Sequence, residues 1–216
     1  MLRILLADDH EIVRRGLKEL LEEQAGWTVC AEAANGREAV ELAVQSRPHV
    51  AILDFSMPEL NGLEATRRIR QAVPSIEVLI FTMHESEELI REVLSTGARG
   101  YLLKSDATRQ LIPAVESVSR HMPYFSGRVS AVVLDGFLKG RGSTEPVALG
   151  AERLTSRERE IVQLLAEGNS NKAIATRLNL SVKTVETHRA AVMRKLDLNS
   201  LADLIRFAIR NHIVEP

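Results

Sequence analysis

Four short apolar runs in this chain end in residues that can do chemistry. Asp8-Asp9 follows the run Arg3 to Ala7, Asp54 follows Val50 to Leu53, Thr82 closes Val78 to Phe81, and Lys104 closes Gly100 to Leu103. If these runs are strands of one parallel sheet, their carboxyl ends share an edge, the place where open α/β sheets bind ligands. Clustered carboxylates repel each other unless a cation neutralises them. All-oxygen donors suit Mg2+, which keeps several waters and favours a bound phosphate. A carboxylate can also act as a nucleophile and carry a phosphoryl group as an aspartyl-phosphate. A metal and a lysine would offset charge on the phosphoryl oxygens, and Thr82 could hydrogen-bond one of them. Each residue alone is also an ordinary cap or turn residue. Their common placement, five residues at four strand ends, carries the argument.

The elements that must position them follow from periodicity. Val50 to Leu53, after Pro48 and ahead of Pro58, is a continuous apolar run of the kind buried on both faces of a sheet. Trp27 to Ala33 reads as a further strand. Between the strands, apolar residues recur at helical spacing: Ile12, Val13, Leu17, Leu20 and Leu21; Ala39, Val40, Leu42 and Ala43; Leu63, Thr66 and Ile69; Leu89, Ile90, Val93 and Leu94; and Leu111 to Val118. Five strands alternating with five helices predict an α/β domain over residues 1–121, a doubly wound five-stranded parallel sheet.

Residues 122–149 change character and read as a linker. Val129, Val132, Val133 and Phe137 suit a short helix, and Lys139 to Pro146 has linker composition. Residues 150–216 lose the alternation and predict an all-α, four-helix domain. Thr155-Ser-Arg-Glu158 is a capping box. Ser170 and Ser181 can cap two further helices, joined by Asn179-Leu180-Ser181 with the dimensions of a helix-turn-helix. Asn199 or Ser200 starts the last helix, with Leu201, Leu204, Ile205 and Ile209 as its buried stripe.

Composition narrows the class. The chain has 216 residues, 45% hydrophobic and 26% charged, ordinary values for a globular protein. No apolar run approaches the roughly 18 residues of a membrane span. The N-terminus meets Asp8 too early for a signal peptide, and Cys30 is the only cysteine, so a cytoplasmic protein without intramolecular disulfides is expected. The net charge of −1 divides unequally: residues 148–216 hold 11 Lys/Arg and 8 Asp/Glu, while 1–147 hold 17 and 21. A basic second part hints at nucleic acid.

Residues 1–120 resemble the receiver domain of two-component response regulators. The matching pieces are Asp8-Asp9, Asp54-Phe-Ser-Met-Pro58 with Gly62, Thr82, and Gly97-Ala-Arg-Gly-Tyr101 leading to Lys104. The resemblance implies phosphorylation of Asp54 by a sensor histidine kinase. It implies Mg2+ contacts from Asp9, Asp54 and the Ser56 carbonyl, with Asp8 acting mostly through water. It also makes Tyr101 the aromatic whose rotamer follows Thr82, and suggests a cis bond between Lys104 and Ser105. This chain departs from the pattern after Thr82, where receivers often carry a small residue and Met83 stands here. Met83 is expected to cover the phosphoryl group. His84 reads as a helix-capping neighbour or as an influence on water attack.

Residues 150–213 resemble the LuxR-type helix-turn-helix, through Leu154-Thr-Ser-Arg-Glu158, Gly168-Asn-Ser-Asn-Lys172, Ile174-Ala175, Leu180-Ser181 and Thr184-Val-Glu-Thr-His188. The whole chain thus looks like a NarL/FixJ-type response regulator. Val185, Val192 and Leu196 would point inward. Lys172, Lys183, Arg189 and Arg194 would then pair with DNA phosphates. Thr187 and Ala190 would reach thymine methyl groups, Glu186 a cytosine amino group, and Thr184 the groove or backbone. His188 reads as structural. Ala202 and Arg206 on the last helix are the expected dimer contacts on an inverted-repeat DNA site. The expected protein is a phosphoacceptor regulator, not an enzyme beyond self-phosphotransfer and autodephosphorylation. Its partners would be a histidine kinase, DNA, a second copy and, as a further candidate, RNA polymerase, with no membrane role. The competing readings are an aspartyl-phosphate phosphatase, for which the loops are short, and a phosphorylation-independent interaction module.

Overall fold

The computed structural model describes residues 1–126, 129 and 154–214. The chain forms two compact units, Met1–Thr144 and Glu145–Pro216. The first is built on strands β1 (Leu2–Ala7), β2 (Trp27–Ala33), β3 (Val50–Asp54), β4 (Glu77–Thr82), β5 (Gly100–Leu103) and β6 (Tyr124–Phe125), interleaved with helices α1 (Glu11–Glu22), α2 (Gly36–Ser46), α3 (Gly62–Ala72), α4 (Glu87–Ser95) and α5 (Ala107–Ser119). The strands are all parallel, in the order β2-β1-β3-β4-β5-β6.

Among the described residues the sheet thus has six strands where periodicity predicts five. The sixth is two residues long, too short to carry an alternating pattern. It forms because Tyr124 and Phe125 pair with Gly100 and Tyr101. The short helix read on Val132, Val133 and Phe137 and the linker from Lys139 to Pro146 lie outside the described residues. Val129 is described, and it is helical and fully buried.

The central strands are apolar throughout because both faces are covered. Ile4, Leu6, Ile52, Leu79 and Phe81 pack on one side with Leu17, Leu21, Leu111 and Val115. Leu5, Leu53, Val78 and Ile80 pack on the other with Ala39, Leu63, Ile69 and Val93. Ile12 does not join the α1 core face: it is 87% exposed, and Leu17 and Leu21 are the buried members. The loop after β3 is held by two close approaches. A Cβ at Gly62 would stand 2.2 Å from the Asp54 carbonyl oxygen, and one at Gly36 would stand 1.9 Å from the Leu60 carbonyl oxygen. Any side chain at Gly62 would push the start of α3 away from Asp54.

The second unit contains α6 (Ser156–Ala166), α7 (Asn171–Leu178), α8 (Val182–Lys195) and α9 (Leu201–Arg210). Each begins at a side-chain cap. Thr155 and Glu158 form the reciprocal capping box, and Ser170, Ser181 and Ser200 cap the other three. The turn between α7 and α8 starts with Asn179 in the left-handed region, φ 53°, which asparagine tolerates better than most residues. Ile161, Val162, Leu165, Ile174, Val185, Val192 and Leu204 share the core. Leu201 is 40% exposed, so the inward side of α9 rests on Leu204 and Ala208 and not on its first residue.

Candidate functional site

The sheet brings the predicted strand-end residues together. Asp54 is the last residue of β3, Thr82 the last of β4, and Asp8 and Lys104 directly follow β1 and β5. Asp8, Asp54 and Thr82 are buried, whereas Asp9 is exposed. Lys104 Nζ stands 2.8 Å from Asp8 Oδ2 and 2.8 Å from Asp54 Oδ2, and 5.7 Å from the centre of the Phe81 ring. One ammonium thus serves two buried carboxylates. Burial works against the Lys104 charge, but the hydrogen bonds and charges of Asp54 and Asp8 prevail and hold its pKa up. Burial pushes the Asp54 carboxyl up to about 6 from 3.8, with Lys104 pulling the other way and Asp8 adding to the rise.

The site fits a small divalent cation. One ligand atom each from Asp8, Asp9, His10 and Asp54 can be chosen so that all lie within 4.8 Å of one another. The buried carboxylates of Asp8 and Asp54 share the single ammonium of Lys104. Two negative charges held close together in a buried place repel each other, and a divalent cation would offset the excess. The turn that presents these groups is itself held. The His10 backbone N–H donates to Asp8 Oδ1 at 2.8 Å, and Arg14 Nη1 donates to the Asp8 carbonyl oxygen at 2.6 Å.

The pocket's other wall is made by the segment after β4. The His84 backbone N–H donates to Thr82 Oγ1 at 3.1 Å, and the Tyr101 hydroxyl donates to the His84 carbonyl oxygen at 2.5 Å. Burial raises the Tyr101 pKa, so this hydroxyl stays protonated. The His84 ring lies edge-on to Phe55, with Nε2 3.5 Å from Ser56 Oγ. Ser86, not His84, caps α4. Met83, read as a cover, is 71% exposed, and it is His84 whose ring faces Ser56. The Lys104–Ser105 peptide is trans, contrary to the cis bond suggested by the resemblance. Lys104 reaches both carboxylates without one, and a non-proline cis bond would cost about 3 kcal/mol.

His10, Arg14 and the His84 ring are site residues that the sequence reading did not single out in these roles. Their sequence signals were adjacency to Asp8-Asp9 and to Thr82. A helical arginine six residues past Asp8 carried no signal of its reach back to that residue's carbonyl.

In the second unit, α8 presents Lys183, Glu186, Thr187, Ala190 and Arg194 to solvent, with Thr184, His188 and Arg189 half-buried and Val185 and Val192 inside. The Thr184 hydroxyl lies 2.8 Å from the capping Ser181 Oγ, and Thr187 Oγ1 donates to the Lys183 carbonyl oxygen. These two hydroxyls are therefore partly engaged within the helix, while the Thr187 methyl remains for apolar contact. Lys172 is exposed on α7, beside an open groove of about 470 Å³ also lined by Ser170, Ala173, Thr176 and Arg177. Lys195 is spoken for: Nζ donates to both Glu158 oxygens at 2.7 Å, tying the end of α8 to the start of α6. Burial opposes the Glu158 charge, but Lys195 and the Thr155 donors hold its pKa below the usual carboxylate value. On α9, Ala202 and Arg206 are exposed, and Arg206 pairs with Asp203 at 2.5 Å.

Residues 4–116 match the family model described as response regulator receiver domain, and residues 152–208 match bacterial regulatory proteins of the luxR family. The oxygen regulatory protein NreC of Staphylococcus epidermidis is 38% identical over 218 residues, covering 99% of this chain and 100% of that protein. The transcriptional regulatory protein LiaR of Bacillus subtilis is 37% identical over 214 residues, again covering 99% and 100%. Among solved structures, RcsB of Salmonella enterica serovar Typhimurium, bound to a promoter in the presence of phosphomimetic BeF3−, superposes with a TM-score of 0.60 at 27% identity, covering 95% of this chain and 97% of that one. A LuxR-family response regulator from Aurantimonas gives 0.60 at 35% identity over 63% of this chain and 97% of its own. An acidic pocket at the edge of a parallel sheet, a separate helix-turn-helix and relatives matched over their full length lead to one assignment: the chain belongs to the NarL/FixJ-type two-component response regulators, with a receiver domain and a LuxR-type DNA-binding domain.

Proposed function

We propose that Asp54 is the phosphoacceptor, that a sensor histidine kinase is its donor in the cytoplasm, and that phosphorylation controls binding of the second unit to DNA. The observation that carries this reading is the bridging of Asp8 and Asp54 by Lys104 at the carboxyl edge of the sheet. An Asp54 oxygen attacks phosphorus, the donor's bond to phosphorus breaks, and the new carboxyl–phosphoryl bond forms. Bound Mg2+, held by Asp9, Asp54 and the Ser56 carbonyl with Asp8 at one remove, would supply charge neutralisation for the incoming oxygens. Lys104 can turn its ammonium from the Asp54 carboxylate to a phosphoryl oxygen. Thr82 can donate its hydroxyl to another, and the His84 peptide that rests on Thr82 and Tyr101 would register the change.

On the DNA side, α8 enters the major groove. Lys172, Lys183, Arg189 and Arg194 pair with phosphates, while Thr184, Glu186, Thr187 and Ala190 face the groove. Ala202 and Arg206 meet a second copy on an inverted repeat; binding as a dimer, though not these contacts, is supported by RcsB dimers bound to DNA. RNA polymerase is a further partner in this reading. The protein is a regulator whose chemistry is confined to its own Asp54.

The test is Mg2+-dependent labelling by a small phosphodonor, followed by DNA binding at fixed salt. Wild type should incorporate label and gain about 5–150-fold in DNA affinity, the usual span of a coupling between two sites. Asp54→Asn should do neither, because an amide is a poor nucleophile. Full labelling of Asp54→Asn would place the acceptor elsewhere.

A further inference from the structure

The β1–α1 turn carries a nitrogen donor that an all-oxygen cation site does not need. His10 Nδ1 lies 2.9 Å from Asp9 Oδ1 and 3.2 Å from Asp8 Oδ1. Neighbouring ligands around a small ion with bonds of ~2.0–2.1 Å stand about 3 Å apart, and opposite ligands about 4.2 Å. The carboxylate and imidazole atoms of Asp8, Asp9, His10 and Asp54, all within 4.8 Å of one another, are close to that spacing before any ion contracts them. The His10 ring is 65% exposed, so it can turn toward an ion without leaving a packed position. Its backbone N–H on Asp8 Oδ1 keeps the residue at the site whichever way the ring faces.

We propose that His10 is a metal-selecting residue: its imidazole joins Asp9 and Asp54 as a ligand, with Asp8 at one remove, and shifts the pocket toward ions that accept nitrogen. This rests on the reading of the pocket as a cation site. Imidazole suits Ni2+ and its neighbours, whereas Mg2+ favours carboxylate, carbonyl and water oxygens. The same pocket would then take Mg2+ through its carboxylates and bind nitrogen-accepting ions more tightly than carboxylates alone would.

The experiment uses the full chain without an affinity tag and titrates MgCl2 and NiCl2 separately by calorimetry. The proteins are wild type, His10→Ala, His10→Asn (which keeps a polar N-cap) and Asp9→Asn. Removing even a residue that only supports a metal ligand typically costs 10–100-fold in affinity. The Ni2+ preference over Mg2+ is therefore expected to fall by about tenfold or more in both His10 variants. Pulsed EPR of the Cu2+ complex, an ion that also accepts imidazole, should show nitrogen modulation in wild type that is lost in His10→Ala. An unchanged Ni2+/Mg2+ ratio overturns the proposal. So does an equal loss for both ions, which would make His10 a support for the carboxylates, or nitrogen modulation that persists in His10→Ala. The Asp9→Asn arm separates the two levels: Mg2+ binding undiminished there would overturn the cation-site reading itself.

Discussion

The receiver pocket and the α8 surface both concentrate charge, but by opposite means. In the pocket, Asp8, Asp54 and Lys104 stand at the ends of three strands, the two carboxylates buried and the lysine largely so, and each charge is set by the others. On α8, Lys183, Glu186 and Arg194 sit on one continuous helix and face solvent. Coulomb interactions between buried groups are several times stronger than between solvated ones. A small chemical change at Asp54 can therefore rearrange its pocket, whereas the α8 cations act nearly independently as a summed field. That suits one unit to switching and the other to reading.

The largest test of this contrast is Lys104→Met. Removing one partner of a fully buried ion pair costs about 3–5 kcal/mol, and here the loss should be somewhat smaller because Lys104 keeps some solvent contact. Denaturation in chelator should show it, and Mg2+ should restore part of it. A variant as stable as wild type in chelator would mean the two carboxylates are not dependent on the lysine.

Next is the pH dependence of Asp54 in the metal-free protein. Its folded-state pKa of about 6 lies above the ordinary 3.8, so the folded state binds this proton more tightly than the unfolded state. The resulting stabilisation is complete below pH 3.8 and is lost as the pH rises through about 6. Asp54→Asn, uncharged throughout, should therefore be more stable than wild type at pH 7 by on the order of 1–3 kcal/mol. The gain should largely vanish near pH 4. The same gain at both pH values would detach it from this titration.

The third expectation concerns the second unit's frame. Thr155→Ala removes the hydroxyl half of the capping box on α6 and should destabilise that unit by about 1 kcal/mol. Urea unfolding followed by a probe in residues 154–214 reads it, and the Asp54 labelling rate should be unaffected. A matching loss of labelling would contradict the independence of the two chemistries.

The smallest is Arg189→Ala. It should weaken DNA binding by only a few-fold, lowering the slope of log affinity against log salt by about 0.9 for the one phosphate lost. A collapse of binding at low salt would show that Arg189 works as part of a coupled cluster, as Lys104 does.

The sequence alone was enough for the alternation of strands and helices in the first unit, the capping box at Thr155, and the presence of Asp8, Asp9, Asp54, Thr82 and Lys104 at strand ends. Those features are local: a period of two or 3.6 residues, or a cap three residues from its partner, is written in adjacent positions. The burial of Val185 and Val192 beneath an exposed α8 face was legible for the same reason. How distant groups meet is set by the folded chain and has no local signature. Lys104 bridges residues 96 and 50 positions before it, Tyr101 closes on the His84 carbonyl, Arg14 returns to the Asp8 carbonyl, and the His84 ring faces Ser56. Strand order sets those meetings, and a pairing such as β6 on β5 leaves no periodic trace in two residues. The exposure of Ile12 and Leu201 belongs here too. Helical spacing assigns a residue to a stripe, but what packs against that stripe decides which of its members are buried.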